Sequence, residues 1–279
     1  MRLTALVLLA GCGHSLAAQV DARVHQQPDA QLVAVAYVDL GNGETMLREP
    51  DTRVHAASTM KLPVMMEIFR RGLSLDESVR IDNHFRSLFD GTDFQLDPGD
   101  DADPQPYEKI GQEAPLRWLV ERMIVRSSNL ATNIVIQLVG AEAVTSMCRS
   151  LGAGAIEVRR GVEDSKAHAA GMDNTTTARD LMILLRAIGE KRVPGADEMV
   201  TVLSHQELNE GIPAGLPPLV KVAHKTGSFG GIWHDAALVL PDRGSAYVLV
   251  VLTKGIADEK QATRLIADIS ALVWKHRAP

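Results

Sequence analysis

The chain of 279 residues is 46% hydrophobic but only 4% aromatic, enough apolar material for a sizeable core in one large domain or two lobes, which excludes a disordered chain. Its 29 basic residues are outnumbered by 35 acidic ones; the net charge of -6, with no Lys/Arg block, argues against an electrostatic grip on nucleic acid. A small anionic substrate would need a local cation, for which Lys61 and Lys225 are candidates.

At the start of the chain, Arg2 followed by the apolar run Leu3 to Ala10 has the form of an export leader, too short to cross a bilayer as a mature helix. Leu9-Ala10-Gly11-Cys12 also has the form of a lipobox, in which Cys12 is lipidated and becomes the first mature residue; cleavage near Ala17 or Ala18 is the alternative. Cys148 is then left without a partner, so packing rather than a disulfide must supply stability.

After a polar segment from Asp21 to Pro28, Gln31 to Leu40 reads as a buried strand, and Gly41-Asn42-Gly43 turns it into a second strand over Glu44 to Glu49. Asp97 to Pro106, rich in Asp, Pro and Gly, reads as a surface loop. Helical periodicity then dominates: Leu116 to Val125, Thr132 to Val139, Glu142 to Leu151, Thr177 to Ile188 and Ala196 to Ser204. Three strands follow at Leu219 to Lys225, Trp233 to Leu240 and Ala246 to Thr253, and a helix closes the chain from Asp258 to Trp274. Strands at both ends with helices between them predict an α/β plus all-α fold. One antiparallel sheet is built from both chain ends and flanked by helices, and a central helical lobe leaves a cleft beside it.

Three short strings carry chemistry. Ser58-Thr59-Met60-Lys61 puts a hydroxyl and an amine on one helical face, about 5 to 6 Å apart at Cβ, where the amine can take the serine proton. Pro63 belongs in a first turn, so the helix begins close to Ser58, at its positive end. Ser127-Ser128-Asn129 lies between two helices; alone it reads as a cap, and functionally it offers a proton-shuttling hydroxyl at Ser127 and a carbonyl-binding amide at Asn129. Lys225-Thr226-Gly227-Ser228 ends a predicted strand and can hold a carboxylate, with Gly227 allowing close backbone approach.

In this order and spacing the strings resemble the penicillin-recognising serine enzymes, most closely the class A β-lactamases. Val54 to Lys61, the helical middle, Asn174 to Ala178 and His224 to Ser228 all match that layout, so the resemblance covers most of the mature chain. It implies Ser58 as nucleophile, Lys61 and Ser127 as proton carriers, and Asn129, Lys225, Thr226 and Ser228 as substrate-binding groups, with the N–H groups of Ser58 and Ser228 as an oxyanion hole. Glu163, in Arg160-Gly161-Val162-Glu163-Asp164, stands where the family has the omega-loop glutamate that activates water; its plain alternative is a solvated loop acid.

The chain also departs from the family. Ser128 replaces a customary Asp, Ala167 stands where an Asn usually helps hold the hydrolytic water, and Phe229 to Asp235 contains no arginine to support a substrate carboxylate. Asp164, Ser165, His168 or Asn174 are the available substitutes near Glu163. His55, His84, His168, His205, His224 and His234 show neither HxH nor HExxH spacing, which leaves a zinc hydrolase little support. Asp235 is expected to order its strand pair, and Tyr107 is a candidate to line the cleft or simply to pack.

The expectation is a serine β-lactamase of residues 19–279, two-lobed and monomeric, acting on a small β-lactam with no metal or organic cofactor. Residues 1–18 form the leader, and the protein is exported to a bacterial periplasm or cell envelope, soluble or tethered through Cys12. A D-Ala-D-Ala peptidase or esterase on the same scaffold, and a non-catalytic envelope binding protein, are the competing readings.

Overall fold

The computed structural model describes residues 15–277, so the apolar run and Cys12 lie outside the described residues. In chain order the helices are α1 (Leu16–His25), α2 (Lys61–Arg70), α3 (Leu116–Val125), α4 (Asn129–Val139), α5 (Ala141–Ser150), α6 (Ser165–Ala169), α7 (Ala178–Gly189), α8 (Ala196–Ser204) and α9 (Glu259–Arg277). The strands are β1 (Leu32–Asp39), β2 (Thr45–Arg48), β3 (Val54–His55), β4 (Ser78–Arg80), β5 (Phe85–Arg86), β6 (Asp93–Phe94), β7 (Glu113–Pro115), β8 (Thr175–Thr176), β9 (Lys221–Phe229), β10 (Ile232–Leu240) and β11 (Tyr247–Lys254).

The predicted sheet is present: five antiparallel strands in the order β2-β1-β11-β10-β9, joining the two ends of the chain. Its central strands read as continuous apolar runs because both faces are covered. Successive side chains of a strand point to opposite faces. Thus Ala34, Ala36 and Val38 of β1 enter the larger core under the helical lobe, while Val33, Val35 and Tyr37 enter a second core with residues of α1 and α9. β11 divides in the same way, with Val248, Val250 and Leu252 on one side and Tyr247, Leu249 and Val251 on the other.

The segment expected to be polar from Asp21 to Pro28 is instead mostly helical. Leu16, Val20 and Val24 recur every fourth residue, are buried, and pack the face of α1 into the second core, and Ser15 caps the helix by accepting the Ala18 N–H at 3.3 Å. At the other end, Arg277 donates from Nε and Nη2 to Asp39 Oδ2 at 2.9 and 2.7 Å, tying the last turn of α9 to the end of β1.

The middle of the chain forms the helical lobe, in which α2 is buried along nearly its whole length, including Leu62, Val64, Met65, Met66 and Ile68. Asp97 to Pro106 is more than a surface loop: Asp101 and Asp103 are buried, and Asp103 pairs with Arg122 of α3. Likewise the strand expected to end at Lys225 continues to Phe229, so the Lys-Thr-Gly string lies within β9 and the reversal falls at Gly230 and Gly231, both with positive φ.

Candidate active site

β3 pairs with β8, His55 opposite Thr175, and fixes the chain just ahead of a tight 3-10 turn at Ala57–Met60. Thr59 Oγ1 donates to Ala56 O at 2.6 Å inside this turn, and Ala57 holds φ +46°, a region seldom occupied by a residue with a Cβ. Ser58 sits half-buried on the turn, α2 follows from Lys61, and Pro63 falls in its first turn as expected.

Lys61 is fully buried, and its Nζ donates to Ser127 O at 2.6 Å, Ser127 Oγ at 3.1 Å and Asn129 Oδ1 at 2.9 Å. Burial disfavours its charge and brings its pKa down from 10.5 to about 7, against the opposing pull of Asp101 and Glu163. Lys225 is equally buried; its Nζ donates to the same Ser127 Oγ at 3.1 Å and to Thr226 O at 3.0 Å. Its pKa is also pushed well below the usual lysine value, first by burial and then by the charge of Lys61. Ser127 Oγ therefore accepts from two amines, and its own proton remains for donation elsewhere. Ser127 reaches this position with φ +59°, outside the helix that begins at Asn129.

Gly227 explains how β9 comes against the turn that carries Ser58. A Cβ there would lie 3.0 Å from the backbone nitrogens of both Ser58 and Thr59 and 3.2 Å from Ala57 Cβ. Only a glycine lets the strand approach so closely, which brings Ser228 beside the turn.

On the opposite wall, Asn129 links Lys61 to the omega-loop: Oδ1 accepts from Lys61, and Nδ2 donates to Glu163 Oε1 at 2.5 Å. Glu163 is half-buried with φ +61°, and burial raises its carboxyl pKa despite the Asn129 hydrogen bond. A carboxylate from a distant loop reaches Ser128. Asp101 Oδ2 accepts from the backbone N–H of Asn129 and Leu130 at 2.8 and 2.9 Å and from the hydroxyls of Tyr107 and Ser128 at 3.0 and 3.3 Å.

A cleft of about 440 Å³ is lined by Ser58, Asn129, Glu163 and Ser228, with Gln95, Asp97 and Asp100 among its other lining residues. Lys61, Ser127 and Lys225 are joined to it through the hydrogen bonds above. Thr226 instead borders a smaller cavity of about 60 Å³ that shares Ser228 with the cleft. Tyr107 is held by Asp101 rather than lining the cleft, and Asp235 accepts from Ile212 N at 2.8 Å and contacts His224 Nδ1 at 2.9 Å, a structural role. Of the residues near Glu163, Asp164 caps α6 and accepts from Ser87 and Leu88, and Asn174 holds the backbone of Arg159 and Arg160. Ser165 and His168 line the cleft and are exposed, whereas Ala167 is buried.

Sequence reasoning missed a cluster at the cleft rim. His55 stacks on Phe229 at 4.7 Å, and His168 meets both rings edge-on. Asp173 completes a group whose ligand atoms lie within 4.8 Å of one another. The group suits a metal poorly. His55 Nδ1 accepts the Ala57 N–H at 3.0 Å, which leaves the ring proton on the Nε2 that would have to ligate, and Arg160 already occupies Asp173 Oδ1 at 2.8 Å. His55 and Phe229 are far in sequence from His168 and Asp173, so no spacing motif could have revealed the group.

The model of the "Beta-lactamase enzyme family" matches residues 15–277. The chain belongs to the β-lactamase enzyme family. Beta-lactamase AST-1 of Nocardia asteroides is 27% identical over 249 residues, which cover 86% of this chain and 77% of that protein. The β-lactamase of Sphaerobacter thermophilus superposes with a TM-score of 0.79 at 25% identity, covering 92% of this chain and 96% of that one. A PBP-A mutant solved as an acyl-enzyme with penicillin G matches with a TM-score of 0.79 at 25% identity, over 94% and 95% of the two chains. The fold is thus that shared by β-lactamases and PBP-A, and the chain is a serine hydrolase of this family.

Proposed function

We propose that this enzyme opens a β-lactam amide through an acyl-enzyme on Ser58 and releases it with water directed by Glu163. The observation that supports this reading is the convergence of Lys61 and Lys225 on Ser127 Oγ, with Asn129 bridging Lys61 to Glu163 in the cleft that Ser58 also lines.

Ser58 Oγ attacks the lactam carbonyl carbon as its proton passes to Lys61 Nζ. As an ammonium, Nζ has all three N–H bonds committed, so it must first lose a proton, and a pKa of about 7 places that loss at neutral pH. The oxyanion forms against the N–H groups of Ser58 and Ser228. The C–N bond then breaks as Ser127 gives its proton to the lactam nitrogen and is reprotonated by the lysines. Lys225 and Ser228 hold the substrate carboxylate, with Thr226 beside Ser228 in the smaller cavity. In the second half, Glu163 takes a proton from water as that water attacks the ester, and Ser58 departs with a proton returned to it.

One observation favours a second reading. Ala167 offers no amide beside Glu163, so the hydrolytic water has weaker support, as in a D-Ala-D-Ala peptidase-like enzyme that acylates and releases slowly. A chromogenic cephalosporin separates the two when product and intact protein mass are followed together. Sustained turnover supports the β-lactamase reading; a stable adduct on Ser58 without turnover supports the peptidase reading and overturns the assignment of Glu163.

We further propose export to a bacterial periplasm or cell envelope as a monomer, with processing ahead of Cys12. Cleavage near Ala17 or Ala18 would remove the Ser15 cap and buried Leu16, whereas processing at Cys12 leaves α1 whole. N-terminal sequencing and mass of the mature protein test this: a chain starting after Ala17 or Ala18, without lipid, would refute it.

A further inference from the structure

We infer that His55 is a positioning residue for the nucleophile turn, holding the Ala57 amide so that the Ser58 N–H stays aimed at the reacting carbonyl. The inference rests on Ser58 being the acylated residue and assigns a role to a side chain outside the proposed proton-transfer network.

His55 touches all three walls of the cleft. Toward the turn, its Nδ1 accepts the Ala57 N–H at 3.0 Å, and this is the residue held at φ +46°. Toward the sheet, its ring stacks on Phe229 at the end of β9 at 4.7 Å and 21°, and its carbonyl accepts from His234 Nε2 of β10 at 3.1 Å. Toward the omega-loop, its backbone pairs with Thr175, its ring meets His168 at 6.2 Å and 90°, and its Nε2 lies 3.7 Å from Asp173 Oδ1.

The strained turn needs this support. A left-handed conformation at a residue with a Cβ persists only when its surroundings fix it. Ala57 is buried, so without the imidazole its N–H would lose its acceptor away from solvent. The next amide is that of Ser58, against which Gly227 already packs closely. Little room exists for the turn to relax without moving the oxyanion donor, and donors that stabilise an oxyanion work only when held in place beforehand.

Acceptance at Nδ1 requires the uncharged ring. Burial, opposed by Asp173 and aided by Arg160 and His168, lowers the His55 pKa below 6.5 and keeps Nδ1 free of a second proton at neutral pH. The aromatic contact and the acceptor are separable by substitution. His55→Phe keeps a flat ring against Phe229 and removes the acceptor; His55→Asn keeps an acceptor oxygen near the Ala57 N–H and removes the ring.

The test measures the acylation rate constant and noncovalent Kd of the full chain with a chromogenic cephalosporin under single-turnover conditions, with thermal melting to confirm folding. The expected result is an acylation rate about tenfold lower in H55F with Kd within about twofold, and a rate in H55N within about threefold of wild type. Equal rates in H55F and wild type, or equal losses in H55F and H55N, would overturn the role. Should H55F not fold, H55A against H55N gives the same comparison, with H55A the slower. A wild-type protein that never gains mass on Ser58 removes the reading beneath the inference; an adduct in wild type with unaffected variants removes the inference alone.

Discussion

Asp101 reaches across from the loop before Tyr107 to the start of α4, where its Oδ2 accepts the Asn129 backbone N–H at 2.8 Å. The same oxygen takes the Leu130 N–H and the hydroxyls of Tyr107 and Ser128. A carboxylate that accepts the first amides of a helix stabilises that end through hydrogen bonding and the helix dipole. Here it also fixes Asn129, the residue that joins Lys61 to Glu163. Asp101→Ala should lower stability by about 2 to 3 kcal/mol, because buried amides and hydroxyls lose a charged acceptor. It should reduce kcat/KM about tenfold or more by loosening Asn129. Adding Ser128→Asp to that variant should recover part of both losses, since it returns a carboxylate to the same helix end. Urea unfolding and cephalosporin hydrolysis measure the two effects; no recovery in the double variant would mean that the two positions are not equivalent sources of the charge.

Gly227→Ala tests the close approach of β9 to the Ser58 turn. The added methyl would lie 3.0 Å from two backbone nitrogens, those of Ser58 and Thr59, and neither can rotate away as a side chain would. Strand or turn must shift, and the Ser58 N–H moves with it. Acylation should slow by about tenfold, short of the effect of a full 1 Å misplacement. The remainder of β9 keeps its pairing with β10, so the melting temperature should fall only modestly. Acylation equal to wild type would show that the close approach of Gly227 does not set the position of the Ser58 N–H.

Arg277, partly exposed, pairs with buried Asp39 far from the cleft, and Arg277 also covers the Tyr247 ring at 4.2 Å and donates to Ser245 O at 2.6 Å. Arg277→Ala leaves the Asp39 carboxylate without its cation and should cost about 2 to 4 kcal/mol with kcat little changed. The pH dependence follows from Asp39. Burial alone would raise its pKa, but hydrogen bonds from Ser245, Arg277, Gly41 and Asn42 outweigh it and lower the pKa from 3.8 to about 2. A folded-state pKa below the unfolded value stabilises the protein above pH 3.8 and loses that contribution as pH falls toward 2. Wild type should therefore lose more stability over that interval than R277A, measured by urea unfolding at each pH.

The sheet was legible in the sequence because its strands carry unbroken apolar runs, and the Ser58-to-Lys61 and Lys225-to-Ser228 strings stood out as candidates because each is contiguous. What escaped was assembled by folding from distant segments. The Asp101 carboxylate reaches the start of α4 beside Ser128, yet nothing in an Asp- and Pro-rich loop distinguishes the acids that turn inward from those that remain in water. Helix α1 was hidden because its first turn, Leu16 to Ala18, fell within the stretch read as the leader. The ring of His55 lies between Phe229 and His168, which reach it from β9 and the omega-loop, so its role has no signature in local spacing.

The two halves of the proposed reaction should titrate separately. Acylation needs Lys61 without its proton; with a pKa of about 7, the acylation rate should rise as pH increases through about 7 and level off above it. Deacylation needs Glu163 as a carboxylate, and burial raises its pKa above the ordinary 4.5, so the acid limb of ester hydrolysis should lie above that value. The groups are coupled, because the negative charge of Glu163 favours the ammonium form of Lys61. Glu163→Gln should thus slow deacylation by about 100-fold or more while moving the midpoint of acylation to lower pH. Stopped-flow acylation and decay of the isolated adduct, each followed across pH, read the two limbs independently. An acylation midpoint that rises or stays fixed in E163Q would show that Glu163 does not set the charge of Lys61, and undiminished decay of the adduct would show that another group activates the water.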